Sequence, residues 1–429
     1  MQNTPIKLYD TSVIGFSNMT DDAVYALEQN FGAHHYDRLK VVVRTAQGSW
    51  ITDIDGRKYL DCLAAYSAAN LGHHHPKVVI ALMRALVGNY ASVISNVIYT
   101  DPLAMFLSKT AEFVPQLGPR FGRNGNKVMP KNGGVESVET AIKMARYYGF
   151  KEKNIPDGKQ EIIVFNNNFH GRMTTVISFS TQQNYRAGFG PLTPGFVSVE
   201  FGDLDAVKAA INKNTCGILV EPLQGEGGMR IPPAGFLKGL REIADDHDLL
   251  LLLDEIQVGL GRTGKKFCFE HEDVVPDGLI LGKALSGGLI PLSAFVTNAR
   301  LMDLAFHVGS DGSTFGGYPF ACVAGVSALE VLEDENLAKA SAIKGKELKQ
   351  HLMKIAVRSK DITEVRGKGL FIGIEVKHGN AMMFCRKLLE MGIIVNDCHG
   401  HTIRISPPLN ISESEIGFLA ECLEEVFLK

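Results

Sequence analysis

Leu249-Leu250-Leu251-Leu252-Leu253 is an unbroken aliphatic block that runs directly into Asp254-Glu255. Five apolar residues in a row have no polar face to offer water, so the block reads as a strand buried on both sides. Four more short runs share this texture: Glu161–Phe165, Cys216–Val220, Gly278–Leu281 and Ser293–Thr297. Helical patterns separate them, as in 136–149, where Val138, Ala141, Ile142, Ala145 and Tyr148 mark one face. Buried strands alternating with helices give an α/β fold around a mostly parallel sheet.

The 429 residues exceed what one hydrophobic core encloses, which predicts more than one lobe. Residues 1–66 form an N-terminal segment with a small β element, a hairpin over 50–61 turning at Asp55-Gly56. Residues 67–334 form the large domain. Residues 335–429 read as a smaller α+β domain, closed by a helix whose capping box is Ser412 with Glu415.

A net charge of −3 offers nucleic acid or an anionic membrane no electrostatic purchase. No apolar block approaches the length of a membrane span, and the N-terminal stretch lacks a signal-peptide pattern, so a cytoplasmic location is expected. Seven cysteines without a CxxC pair fit reduced thiols.

Strand-end acids in open α/β folds lie at the sheet edge where ligands bind, which makes Asp254 a candidate. Twenty-nine residues later the run Gly278–Leu281 ends in Gly282-Lys283-Ala284. A lysine between buried segments has a depressed pKa, and its neutral amine is the nucleophile that Schiff-base chemistry requires. Pyridoxal phosphate needs such a lysine and an acid facing its ring nitrogen; Lys283 and Asp254 fit those roles. Asn132-Gly133-Gly134-Val135 opens the helix at 136–149, where free N–H groups face an anion such as a phosphate.

Two features are read as structural. His73-His74-His75 lacks the carboxylates or cysteines of a metal centre and precedes Pro76 as a turn, so no metal is expected. Gly259-Leu260-Gly261-Arg262-Thr263-Gly264 formally matches a dinucleotide fingerprint but lacks the acid about twenty residues on, and Lys266 stands where a P-loop needs Ser or Thr.

Asp254-Glu255-Ile256-Gln257, Gly259 to Gly264 and Gly282-Lys283-Ala284 together resemble the signature of class III aminotransferases, pyridoxal-phosphate enzymes of fold type I. Gly72 to Pro76, Asn168 to Arg172 and Gly312 to Gly317 extend the resemblance over most of the chain. Within that class, Phe31 to Tyr36, Ala65 to Asn70, Glu221 to Gly228 and Ile403 to Leu409 resemble the ornithine-type segments.

The resemblance implies a seven-stranded sheet in the large domain and a homodimer with active sites at the subunit interface. It implies pyridoxal 5'-phosphate on Lys283, Asp254 at the ring nitrogen, Gln257 at the ring hydroxyl and Phe169 on the ring face. Gly133, Gly134 and Val135 would bind the phosphate, with Thr314 from the neighbouring subunit. Arg172 and Arg404 would read carboxylates, Glu226 would pair with Arg404 as a gate, and Tyr66 and Phe31 would line the substrate pocket.

The implied reaction moves the δ-amino group of ornithine to 2-oxoglutarate in two halves, giving glutamate 5-semialdehyde and glutamate. Another ω-amine donor such as acetylornithine, lysine or 4-aminobutyrate, or a racemase or aminomutase on the same fold, stays open. The ornithine pattern is broken twice: Phe31 replaces a tyrosine and His170 a tryptophan.

Overall fold

The computed structural model describes residues 19–429. The first 18 residues of the expected N-terminal segment lie outside the described part. Seven strands build the central sheet, in the order Asn126–Lys131, Ser293–Asn298, Gly278–Leu281, Leu250–Asp254, Thr215–Val220, Glu161–Phe165 and Phe196–Val199. Ser293–Asn298 is antiparallel to both neighbours, and the other six strands share one direction. The expected mostly parallel α/β sheet is the observed one, and all five aliphatic runs are strands within it.

Two strands of this sheet carry no aliphatic run. Asn126–Lys131 contains Pro130 and two lysines, which an edge position tolerates because one side of the ladder needs no donor. Phe196–Val199 is the opposite edge and is only partly buried. The helix expected at 136–149 spans Gly134–Lys151 and buries each of the five residues assigned to its inner face.

The hairpin forms between Trp50–Asp53 and Lys58–Asp61, with Gly56 at φ +86° in the turn. Its inner strand also pairs in parallel with Ile393–Ile394, which ties the start of the chain to its C-terminal part. There, Ile362–Lys368, Phe371–Val376, Thr402–Ile405 and Asn396–Cys398 form a four-stranded antiparallel sheet. Helices Leu337–Arg358, Ala381–Glu390 and Glu413–Leu428 accompany it. Ser412 Oγ accepts from Glu415 N at 3.2 Å while Glu415 Oε2 accepts from Ser412 N at 2.7 Å, the expected capping box.

The three consecutive histidines engage three separate partners: His73 with Asp61, His74 with the Ala46 carbonyl and His75 with Glu335. The glycine-rich turn after Gln257 is packed, not open. Arg262, fully buried, donates to the Leu370 and Pro407 carbonyls at 2.9 and 2.6 Å, and a Cβ on Gly261 would press on Leu409 at 2.9 Å. All seven cysteines are buried and unpaired. Among the described residues no helix is long and apolar enough to cross a membrane.

Candidate active site

Parallel strands that end at one sheet edge deliver their terminal residues to a common crevice. Asp254 is the last residue of its strand, and Lys283 follows Gly278–Leu281 on the adjacent strand after one glycine. Both line a cavity of about 240 Å³, together with Gly134, Val135, Phe169, His170, Glu221 and Gln257. Lys283 has a left-handed backbone, φ +46°, an uncommon state for a side chain with a Cβ and one that surrounding structure must impose.

Burial lowers the Lys283 ammonium to a pKa of about 8, partly offset by the negative charge of Asp254. About a tenth of this amine is therefore unprotonated at pH 7, far more than for an exposed lysine. Asp254 is itself held at both oxygens: Oδ2 contacts His170 Nδ1 at 2.6 Å, and Oδ1 accepts from the Ile256 amide at 3.0 Å. Burial opposes a charged His170, yet its bond to Asp254 and the nearby carboxylates outweigh burial and raise its pKa. Glu221 accepts from the Phe169 amide at 3.2 Å, and burial pushes its carboxyl up to about 8. His170 and Glu221 were not assigned roles in the sequence, although both stood inside recognised segments.

Helix Gly134–Lys151 points its N-terminus into the cavity, and Gly134 leaves room for Ile256, whose Cδ1 would lie 2.8 Å from a Cβ there. The Gly133 amide is already committed, donating to Glu136 Oε1 at 3.1 Å, and Gly133 does not line the cavity. The amides open to an anion are thus those of Gly134 and Val135. Gln257 lies against Gly225, whose missing side chain makes room for its carboxamide, and Gln257 Nε2 is buried without a partner.

Arg404 and Glu226 stand beside the cavity, close enough for both charges to act on the Lys283 amine. Arg404 is 1% exposed and donates from Nη2 to Glu226 Oε2 at 2.7 Å. Burial raises the Glu226 pKa, but the arginine outweighs it and the net shift is downward. The Tyr66 ring packs 4.7 Å from the Arg404 guanidinium, and Tyr66 Oη accepts from Asn396 Nδ2 at 3.0 Å.

Arg172 is exposed at the rim, over the rings of Phe169, Tyr36 and Tyr185 at 5.2–5.4 Å. Its Nη1 donates to Tyr36 Oη at 3.0 Å, a contact across 136 residues that the sequence of the Phe31–Tyr36 segment does not signal. Phe31 is not brought to the cavity: it ends helix Asp21–Phe31 and is 85% exposed. Thr314 is exposed too and does not line its own chain's cavity.

A family model for class III aminotransferases matches residues 31–427. "Ornithine aminotransferase 2" of Staphylococcus aureus strain MRSA252 is 43% identical over 406 residues, covering 95% of this chain and 99% of that one. The ornithine aminotransferase of Staphylococcus carnosus strain TM300 is 44% identical over 399 residues, covering 93% and 97%. Among solved structures, an ornithine aminotransferase from Toxoplasma gondii superposes with a TM-score of 0.91 at 34% identity, covering 97% and 96%, and is described with partial occupancy of PLP at its active site. The acetylornithine aminotransferase of Elizabethkingia anophelis gives 0.84 at 35% identity over 96% and 99%. A buried acid and a near-neutral lysine on adjacent strand ends, in a chain matched over nearly its whole length, place it in a family: it belongs to the class III aminotransferases.

Proposed function

We propose that the chain transfers the δ-amino group of ornithine to 2-oxoglutarate with pyridoxal 5'-phosphate held in the 240 Å³ cavity. The residues present fit that cofactor. Gln257 Nε2 is a buried donor without a partner, His170 Nε2 is a buried ring nitrogen without one, the Gly134 and Val135 amides open the helix towards the cavity, and Lys283 offers an amine of lowered pKa. When bound, pyridoxal phosphate supplies an aldehyde that takes up the substrate amine and a ring that draws electrons from the neighbouring carbon.

The protein's part is positioning and proton transfer. Lys283 would hold the cofactor between turnovers and, once displaced by substrate, take a proton from the amine-bearing carbon and return it on the cofactor side. Asp254, fixed by His170 and the Ile256 amide, would keep the ring nitrogen protonated. Phe169 would cover one ring face, and Gln257 would donate to the ring hydroxyl. In cofactor-free protein the neutral fraction of Lys283 grows as pH rises through about 8. The rate of cofactor uptake should therefore climb between about pH 7 and 9, and a flat profile would contradict the lowered pKa.

The Arg404–Glu226 pair, 2.7 Å apart, carries the substrate reading. An amine donor whose reacting end bears no carboxylate would leave a buried arginine unpaired, a costly arrangement that Glu226 prevents. With 2-oxoglutarate, Glu226 would withdraw and Arg404 would bind the carboxylate beside the oxo group, while Arg172 holds the far carboxylate of either substrate. Glu226→Ala should shift the ratio of kcat/KM values from ornithine towards α-amino acids by about tenfold or more. An unchanged ratio rejects the gate. The donor panel must include acetylornithine, since its aminotransferase is a structural neighbour at comparable identity.

A homodimer also fits. Helix Pro76–Val87 exposes Ile80, Met83, Leu86 and Val87, and Tyr99 and Val97 follow in the next segment, an apolar surface that a second copy would cover. Thr314 would then reach the phosphate of the neighbouring site. Sedimentation of a monomer at working concentration would overturn this arrangement.

A further inference from the structure

Arg404 has a second acceptor that the gate does not use. Cys398 Sγ lies 2.9 Å from Arg404 Nη2 and 3.2 Å from Nε, and it donates its own hydrogen towards the Gly225 carbonyl at 3.7 Å. Cys398 and Arg404 sit on paired antiparallel strands, Asn396–Cys398 against Thr402–Ile405, so the contact is set by sheet register. Gly225 directly precedes Glu226, and the sulfur therefore joins the arginine to the base of the loop that bears the gate. Burial raises the Cys398 pKa against the opposing pull of Arg404, which leaves a neutral thiol at physiological pH.

A gate of this kind makes two demands on whatever else touches the arginine. The guanidinium must stay aimed at the pocket when Glu226 leaves, because a released arginine side chain regains rotamer freedom that substrate binding must remove again. It must also keep its charge. A carboxylate at position 398 would satisfy the first demand and defeat the second by neutralising Arg404 permanently. A thiol orients the Nε and Nη2 edge as a neutral acceptor. Nη1, which bonds to no other described residue, stays available to a carboxylate.

We propose that Cys398 is a positioning residue for the acceptor half of the reaction: it holds Arg404 in place without neutralising it, so that Glu226 alone switches the charge the substrate meets. This rests on the gate reading above, and the test separates the two.

The probe is glutarate, a dicarboxylate of the acceptor's length that lacks the reacting oxo group, bound to holoenzyme and followed by calorimetry. Cys398→Ala should weaken glutarate about tenfold, the loss of hydrogen bonds to a charged group, while Cys398→Ser retains most of the affinity. Cys398→Asp should abolish glutarate binding yet lower the single-turnover rate with ornithine far less, because ornithine needs Arg404 neutralised. If the aspartate variant does not fold, as judged by cofactor absorbance, the alanine and serine pair decides. Equal losses with glutarate and ornithine, or unchanged glutarate affinity in Cys398→Ala, overturn the proposal. Should Glu226→Ala shift donor preference while Cys398→Ala does nothing to glutarate, only this inference fails; should Glu226→Ala leave preference unmoved, the gate falls and this proposal with it.

Discussion

Lys283→Ala is expected to lower turnover by more than about a thousandfold, the scale of a lost proton-transfer group that also anchors the cofactor. The side chain is the lysine that lines the cavity, and no neighbouring residue can replace its amine. Burial brings that amine to a pKa of about 8, so it can be both nucleophile and base near neutrality. Lys283→Arg should be equally inactive, because a guanidinium stays charged and cannot take the proton. Measuring kcat with ornithine and 2-oxoglutarate decides the matter, and a variant with parental turnover would place the chemistry elsewhere.

Asp254→Asn is expected to reduce turnover by about 10²–10³-fold, the usual effect of removing one preorganised electrostatic partner. Asparagine matches the shape and can still accept from the Ile256 amide, but it carries no charge to hold a proton on a ring nitrogen. It also removes the negative charge 2.6 Å from His170 that raises the histidine's pKa, so His170 should lose its proton at a lower pH than in the parent enzyme. The variant should still bind cofactor covalently at Lys283. That separates it from Lys283→Ala, and a full rate in the asparagine enzyme would remove Asp254 from the mechanism.

How far the sequence showed this depended on burial. Central strands such as Leu250–Asp254 and Gly278–Leu281 are enclosed on both faces and so announce themselves as continuous apolar runs. The edge strands Asn126–Lys131 and Phe196–Val199 carry no such pressure and went unread. Asp254 and Lys283 were legible for the same reason, since one ends a buried strand and the other follows one, and each inherits its position at the sheet edge.

The rest of the site is assembled across long separations that spacing cannot reveal. Glu226 and Arg404 are 178 residues apart, and His170 and Asp254 are 84 apart. Family resemblance pointed to Glu226 and Arg404, but it marked His170 only as a departure and gave Cys398 no part. Their contacts arise from strand register and from loops meeting over the cavity, information that exists only once the chain is folded. Gly133 shows the converse: a glycine pair before a helix reads as a phosphate cup, yet its first amide is occupied by Glu136 of the same helix.

Everything rests on the Lys283 amine being the group that holds the cofactor. Borohydride reduction of the purified holoenzyme, followed by proteolysis and mass spectrometry, reports the attachment point directly. The expected result is a single modified peptide with the cofactor's mass on Lys283. A modification on any other lysine, or none at all in an active enzyme, would contradict the assignment.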